Sequence, residues 1–200
     1  MIRGMSAHHW GPAGPPPEAY SRVTNPERFA ILHAAAAELL DELERDFETE
    51  RREAHSLDPE LEQGCNLSRP SVALTPCDLR AAPLVIAFST FPGLRVRLGR
   101  WYLAAFPACG CDACDETAEG EVQRLKLLID NMTAGRFHES IEVGANGTGW
   151  KKSEFASSAG HSAENLSLDQ AAVRKLLDSD DRFAYQWAPW PRREPKRPFR

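Results

Sequence analysis

The run Cys109-Gly110-Cys111-Asp112-Ala113-Cys114 sets three thiols within six residues, and two acids, Asp115 and Glu116, follow directly. Thiols this close together hold a metal, form a disulfide or exchange electrons. Zinc takes four ligands in a tetrahedron, and thiolates suit it. Cys111 and Cys114 have the two-residue gap common in zinc knuckles, and Cys109 stands closer than is usual. A fourth ligand must then come from elsewhere in the chain. If Ser89 faces Leu94 across a hairpin, Cys77 falls opposite Phe106 and so near Cys109, although Pro76 and Pro83 interrupt such a ladder. The candidate metal set is therefore Cys109, Cys111, Cys114 and Cys77 around Zn2+. Cys65, His161 and an oxygen of Asp112 or Asp115 stay open for the fourth place. His138 fits poorly, because it lies beyond the far end of the following helix, roughly 27 Å away at 1.5 Å per residue.

A redox role is the second option. Cys111-Asp112-Ala113-Cys114 precedes a helix, and a helix N-terminus favours thiolate. Asp112, Asp115 and Glu116 act against it, since negative charge pushes a thiol pKa upward and favours a bound cation instead. No βαβ pattern of the thioredoxin kind precedes the motif. The third option is a plain disulfide or reduced, partly buried thiols, with Asp115 serving only as a helix cap. Five cysteines are an odd number. In a reducing compartment, clustered thiols lean toward metal or redox work rather than stable bridges.

The elements that must position this cluster are readable from periodicity. Thr24-Asn25-Pro26-Glu27 combines a capping residue, a first-turn proline and a capping-box glutamate. Phe29, Leu32, Ala36, Leu39, Leu40, Leu43 and Phe47 then recur at helical spacing, predicting a helix to about Glu53. Residues 56–70 read as a loop. Extended runs follow at Ser71–Thr75, Leu84–Ser89 and Leu94–Tyr102, the last alternating Leu94, Val96 and Leu98 with Arg95, Arg97 and Gly99. A second helix is predicted from Thr117 to about Ala134, stopped by Gly135. Arg136–Val143 and Trp150–Ala156 read as a hairpin turned at Asn146-Gly147. A third helix opens at Ser167, with Gln170 completing a capping box, and Phe183–Trp187 adds a last strand. The order predicts an α+β fold, a mostly antiparallel sheet of about four to five strands packed with three helices. The expected organisation is a disordered Pro/Gly-rich arm over 1–20, one domain over 21–188, and a basic Pro-rich tail over 189–200.

Composition narrows the function classes. The chain has 200 residues, 42% hydrophobic and 26% charged, enough for one well-packed domain with a soluble surface. A net charge of -5 argues against a general nucleic-acid binder, which needs a basic face to displace counterions from phosphates. No apolar run approaches a membrane span or a secretory signal, so the expected location is cytoplasmic. Gly144, Gly147 and Gly149 have the wrong spacing for a dinucleotide loop, and no nucleotide cofactor is expected. There is no phosphate-binding lysine loop, nucleophile elbow or H-E-x-x-H pair. His138 and Glu139 are neighbours on a strand and point to opposite faces, which weakens an acid/base pairing. His161, Ser162 and Glu164 read as a loop rather than a hydrolytic site, and His8-His9 as part of the arm. Trp101, Trp150, Trp187 and Trp190 are read as packing residues with a pocket as the alternative.

Phe91–Trp101, followed by Phe106-Pro107-Ala108-Cys109-Gly110-Cys111-Asp112-Ala113-Cys114-Asp115-Glu116, resembles an uncharacterised protein family found chiefly in actinobacteria. The opening Tyr20–Phe29 and the closing Pro189-Trp190-Pro191 are similar to it as well, so the resemblance spans roughly residues 20–191. It implies a bacterial cytoplasmic protein of unknown function and carries over no catalytic residues. Together these features favour a non-enzymatic protein that binds a protein or small molecule, with a cysteine knuckle pinning the hairpin end to the second helix. The alternative is a thiol redox or metal-handling protein using Cys111 and Cys114.

Overall fold

The computed structural model describes residues 10–11, 13–157, 160–179 and 183–194. His8, His9 and the end of the basic tail, residues 195–200, lie outside them. Among the described residues, two antiparallel sheets and four α-helices make up the α+β fold. Helix α1 (Ile31–Asp46) leads into an edge strand β1 (Thr49–Ala54) and a single helical turn α2 (Pro59–Glu62). Strands β2 (Ser71–Pro76), β3 (Leu84–Phe88), β4 (Leu94–Leu98) and β5 (Tyr102–Phe106) complete a five-stranded meander in sequence order with β1. Helix α3 (Ala118–Thr133) then precedes β6 (Phe137–Val143), β7 (Gly149–Ser157) and β8 (Gly160–Leu168). Helix α4 (Gln170–Ser179) and the short β9 (Ala184–Gln186) follow, and the second sheet runs β8-β7-β6-β9. Among the described residues no helix is long and apolar enough to cross a membrane.

The core follows the expected patterns. Leu32, Ala36, Leu39, Leu40 and Leu43 line one face of α1, and Leu125, Ile129 and Met132 line α3. Both stripes cover Val72, Leu74, Leu84, Ile86, Leu94, Val96 and Leu98 of the first sheet. Burial of such side chains contributes about 1.5–3 kcal/mol each. Tyr102, Phe137 and Phe155 join the two sheets, with ring centroids 4.6–6.0 Å apart. After β9, Trp190 packs edge-on against Phe47 and donates its indole N–H to Ala82 O at 2.9 Å. Arg193 Nε donates to the carbonyls of Glu44 and Phe47, satisfying the last turn of α1.

Several boundaries differ from expectation, each for a tertiary reason. The first helix stops at Asp46, not Glu53, and residues 49–54 pair with β2. The Glu/Arg run there suits a helix by propensity, but an open sheet edge outweighs so weak a preference. Thr24 does not cap the helix: its N–H and hydroxyl bind Asp112, and Asn25 takes a left-handed φ of 51°. The 89–94 hairpin pairs Phe88, not Ser89, with Leu94. Residues 160–166, expected as a loop, lie in β8, so His161 is on a strand. Its side chain is outside the description. Asp169 rather than Ser167 caps α4, accepting from Ala172 N at 2.8 Å.

The run Leu94–Tyr102 is two strands, not one, because Glu139 of β6 reaches across and breaks it. Its Oε1 accepts the N–H groups of Trp101 and Tyr102 and its Oε2 that of Arg100, all at 2.8 Å. Oε2 also accepts the Trp187 indole N–H at 2.9 Å. Gly99, at φ +59°, makes room for this carboxylate, for a Cβ there would sit 2.2 Å from Oε2. Burial pushes the Glu139 carboxyl above the usual range, and its four N–H donors act in the opposite direction. Replacing Glu139 by alanine leaves four buried donors without an acceptor. The expected loss of stability in chemical denaturation is about 3–5 kcal/mol, well beyond that of an ordinary surface glutamate. Gly99→Ala should also destabilise, and an unchanged denaturation midpoint in both variants would show that the carboxylate does not hold the turn.

Candidate metal centre

The cysteine loop leaves the end of β5, at the corner where the first sheet meets the start of α3. Thr117 caps that helix, accepting from Gly120 N at 3.1 Å, so Asp115 is not the cap. Immediately before Thr117, Glu116 folds its side chain back into the loop. Its carboxylate accepts the N–H groups of Ala108, Cys109 and Gly110 at 2.9, 3.2 and 2.6 Å. Gly110 turns at φ +81°, with Phe91 and Pro107 packed where a Cβ would project. Its carbonyl accepts from Arg28 Nη2 at 3.2 Å. Asp112–Cys114 form one 3-10 turn, closed by Cys114 N–H to Cys111 O at 3.2 Å.

Asp112 anchors the other side of the loop. One oxygen accepts the Thr24 N–H and the other accepts from Arg22 Nε and Thr24 Oγ1, each at 2.7 Å. These partners lower its pKa to about 2, the Thr24 backbone N–H foremost. Trp10 and Ala19 pack on Cys111 and Ala113, and the Trp10 indole N–H reaches Asp112 O at 3.3 Å.

Within this frame the Sγ atoms of Cys109, Cys111 and Cys114 all lie within 4.8 Å of one another, with Cys111 and Cys114 at 3.4 Å. A zinc ion with Zn–S of about 2.3 Å sets tetrahedral sulfurs about 3.8 Å apart, so the donor set fits zinc with only small side-chain rotations. Cys111 is buried, and Cys109 and Cys114 are exposed, so the trio opens outward. Hydrogen bonds from Cys109 foremost, then Cys114 and the Cys114 and Ala113 N–H groups, lower the Cys111 pKa, against the pull of desolvation. Cys114 is pushed up to about 12, chiefly by Cys111 and Cys109. Between Cys111 and Cys114 the thiolate is therefore favoured at Cys111. Asp112 and Glu116 are turned to Arg22, Thr24 and the main chain.

Cys77 is not brought to this group. Leu74 lies in register with Leu84, Leu98 and Tyr102, whereas Phe106 is level with Leu94 and Phe88. Cys77 continues away from that row, bonding its N–H to Glu48 O, and ends about seven residue rows from Phe106, roughly 23 Å at about 3.3 Å per residue. The two reversals after β3 and β4, at Ser89–Gly93 and Gly99–Trp101, set this direction, and a hairpin count across one turn misses the second. Asp112 is committed to Arg22 and Thr24, and among the described residues no Asp, Glu or His atom joins the three sulfurs. His138 pairs with Glu154 at 3.2 Å on the second sheet, and His33 Nε2 bonds Gly93 O at 3.0 Å. Cys65 is half-buried and borders, with Cys109, a surface cavity of about 320 Å³. Sequence reasoning missed the roles of Glu116 and Arg28. A glutamate just ahead of a helix cap, after a glycine-containing loop, was the available signal.

Asp112 supplies a pH test. A carboxyl whose folded pKa lies below its unfolded value of about 3.9 contributes stability above that value and loses it as pH falls toward the folded one. Asp112→Asn should therefore lower the melting temperature at pH 6, and the gap to the parent chain should close between about pH 4 and pH 2. A gap independent of pH would mean that the anchor is not ionic.

No functionally described protein and no solved structure matches the chain. One family model does, over residues 7–194, which takes in the arm residue Trp10, the whole cysteine loop and the docked Trp190 and Arg193. The chain belongs to that family, a family of unknown function (DUF6226).

Proposed function

We propose that this protein binds a thiophilic divalent metal, zinc foremost, through the thiolates of Cys109, Cys111 and Cys114. The observation that supports this is the convergence of three sulfurs within 4.8 Å on a loop whose shape is held by other groups. Glu116 and Asp112 already tie the loop to the helix and the arm, so the sulfurs are not needed for that tie. An ion held by three protein thiolates keeps one coordination position for water or for an incoming donor. This favours a non-enzymatic binding role, in which a small molecule or a protein partner supplies the fourth donor. No nucleic acid or membrane partner is part of this proposal, and its setting is the cytoplasm, where free thiols persist.

The test is titration of reduced, metal-free, untagged protein with Zn2+ and with Cd2+, whose thiolate charge-transfer absorption counts bound sulfurs. One ion per chain with three thiolates is expected. Each of Cys109→Ser, Cys111→Ser and Cys114→Ser should weaken binding by about 100-fold or more, and Cys77→Ser should leave it unchanged. Glu116→Ala, which releases three N–H groups behind the ligands, should cost about 10-fold or more. Metal at about 100 times its Kd should add about 2.7 kcal/mol of stability, absent from the cysteine variants. Failure to retain one equivalent of either ion would refute the proposal.

The 3.4 Å separation of Cys111 and Cys114, with the thiolate favoured at Cys111, supports a second reading. In it the two thiols give up two protons and two electrons to a disulfide-bearing oxidant and become a bridge. Metal-free protein would then show a reversible Cys111–Cys114 disulfide in glutathione redox buffers, and Cys111→Ser would abolish rapid reaction with a thiol probe at neutral pH. Slow labelling that Cys111→Ser leaves unchanged would count against it.

A further inference from the structure

One of the three clustered cysteines also belongs to a cavity. Cys109 borders a space of about 320 Å³ together with Cys65, Phe91, Arg95, Ala105 and Pro107. That volume lies at the small end of ligand pockets, about 300–1,000 Å³. Arg95 of β4 and Ala105 of β5 are cross-strand partners, on the face opposite the buried Leu94 and Phe106. The cavity therefore lies on the outer face of the first sheet, where β5 runs into the cysteine loop. Arg95 is half-buried there, and its Nη1 donates to two carbonyls, Gln63 O at 2.8 Å and Leu61 O at 3.3 Å. Among the described residues no carboxylate pairs with it, and its Nε and Nη2 have no partner.

The walls are held without any occupant. Thr90 N–H donates to Asn66 O at 2.7 Å, and with the two Arg95 bonds this fixes the segment that carries Cys65. On the other side Glu116 holds the N–H groups of Ala108 and Cys109. The cavity thus sets a half-buried guanidinium and the apolar surfaces of Phe91, Ala105 and Pro107 beside one member of the sulfur trio. Three thiolates leave a tetrahedral ion one position short, so a donor that reaches the ion from this cavity would complete it.

We propose that the fourth donor is the sulfur of a small thiol that carries a carboxylate, seated in this cavity. The inference rests on the three-thiolate metal site described above. The thiol gives its proton to solvent, its sulfur bonds the ion beside Cys109, and the coordinated water leaves. The carboxylate meets the Nε and Nη2 side of Arg95, a fork that matches it in shape as well as charge. Sulfur is the fitting donor on two counts. Thiolate ligands select ions that prefer soft donors, and a sulfur on a methylene stem is apolar enough for the walls.

The probe is 3-mercaptopropionate, added to the reduced full chain loaded with one equivalent of Cd2+ and followed by thiolate charge-transfer absorption. The absorption should rise from three thiolates to four, saturating at one probe per chain. 2-Mercaptoethanol, which lacks the carboxylate, should bind about 10-fold more weakly, and propionate, which lacks the sulfur, should leave the absorption unchanged. Arg95→Ala should cost about 10-fold in affinity for the probe, and Arg95→Lys should keep most of it. Ala105→Leu fills the cavity without touching a sulfur, and it should weaken the probe while Cd2+ still binds. Where far-UV circular dichroism shows that Arg95→Ala has lost its fold, Ala105→Leu carries the comparison. A chain that takes up no Cd2+ fails at the metal and overturns both readings. With Cd2+ bound, absorption fixed at three thiolates, loss of the ion to the free thiol, or equal affinity for 2-mercaptoethanol would overturn this inference alone. So would a fourth thiolate present before any probe is added and lost in Cys65→Ser, since the chain would then close the site with its own sulfur.

Discussion

A single carboxylate between two sheets accepts four N–H groups, and the arrangement of the chain turns on it. Glu139 belongs to β6, but three of its four donors are consecutive main-chain amides of the turn that separates β4 from β5. One carboxylate satisfies all three amides, and leaving them buried and unpaired would cost about 1–3 kcal/mol each. The turn therefore forms around the acid, Gly99 supplies the left-handed residue that avoids collision with it, and the two sheets are set against each other. Tyr102, first residue of β5, is thereby brought against Phe137 and Phe155, and the aromatic contact between the sheets follows.

The far end of β5 repeats the device. Glu116 accepts three consecutive amides, those of Ala108, Cys109 and Gly110, as Glu139 accepts those of Arg100, Trp101 and Tyr102. A short strand is thus held at both ends by carboxylates from other parts of the chain. The consequence for chemistry is that the cysteine loop has a defined shape before any ion or bridge forms. A preformed loop loses less conformational entropy when it takes up a ligand, and binding is correspondingly tighter. The arm joins the same corner through Asp112, so the main-chain path of Arg22–Thr24 and the thiol turn are one unit.

Some of this was legible in residue order. The helix Ala118–Thr133 shows its inward stripe and its Gly135 stop, local features within one element, although its cap is Thr117 and not the Asp115 that the sequence suggested. The hairpin of β6 and β7 shows its turn at Asn146-Gly147 for the same reason. The cysteine cluster is legible because its members are adjacent in the chain and converge whatever the surrounding fold. The end of the first helix was not legible: Glu48–Glu53 carries helix-forming residues, and only an unpaired edge of β2 draws them into a strand. The strand β8 was missed because Gly160–Leu168 lacks clean alternation and takes its conformation from β7.

Sequence by itself determined the α+β class, the buried faces of the two long helices and the grouping of Cys109, Cys111 and Cys114, since these depend on spacings of a few residues. Tertiary structure alone decided that Cys77 lies at the other end of the sheet and that Thr24 serves Asp112 rather than its own helix. It also decided that Glu139 and Glu116, unremarkable in the sequence, support the strand between them. The physical reason is common to all of these: unsatisfied amides and open strand edges are completed by whichever groups the folded chain brings near. Proximity between residues thirty or ninety positions apart is a property of the topology and not of any local pattern.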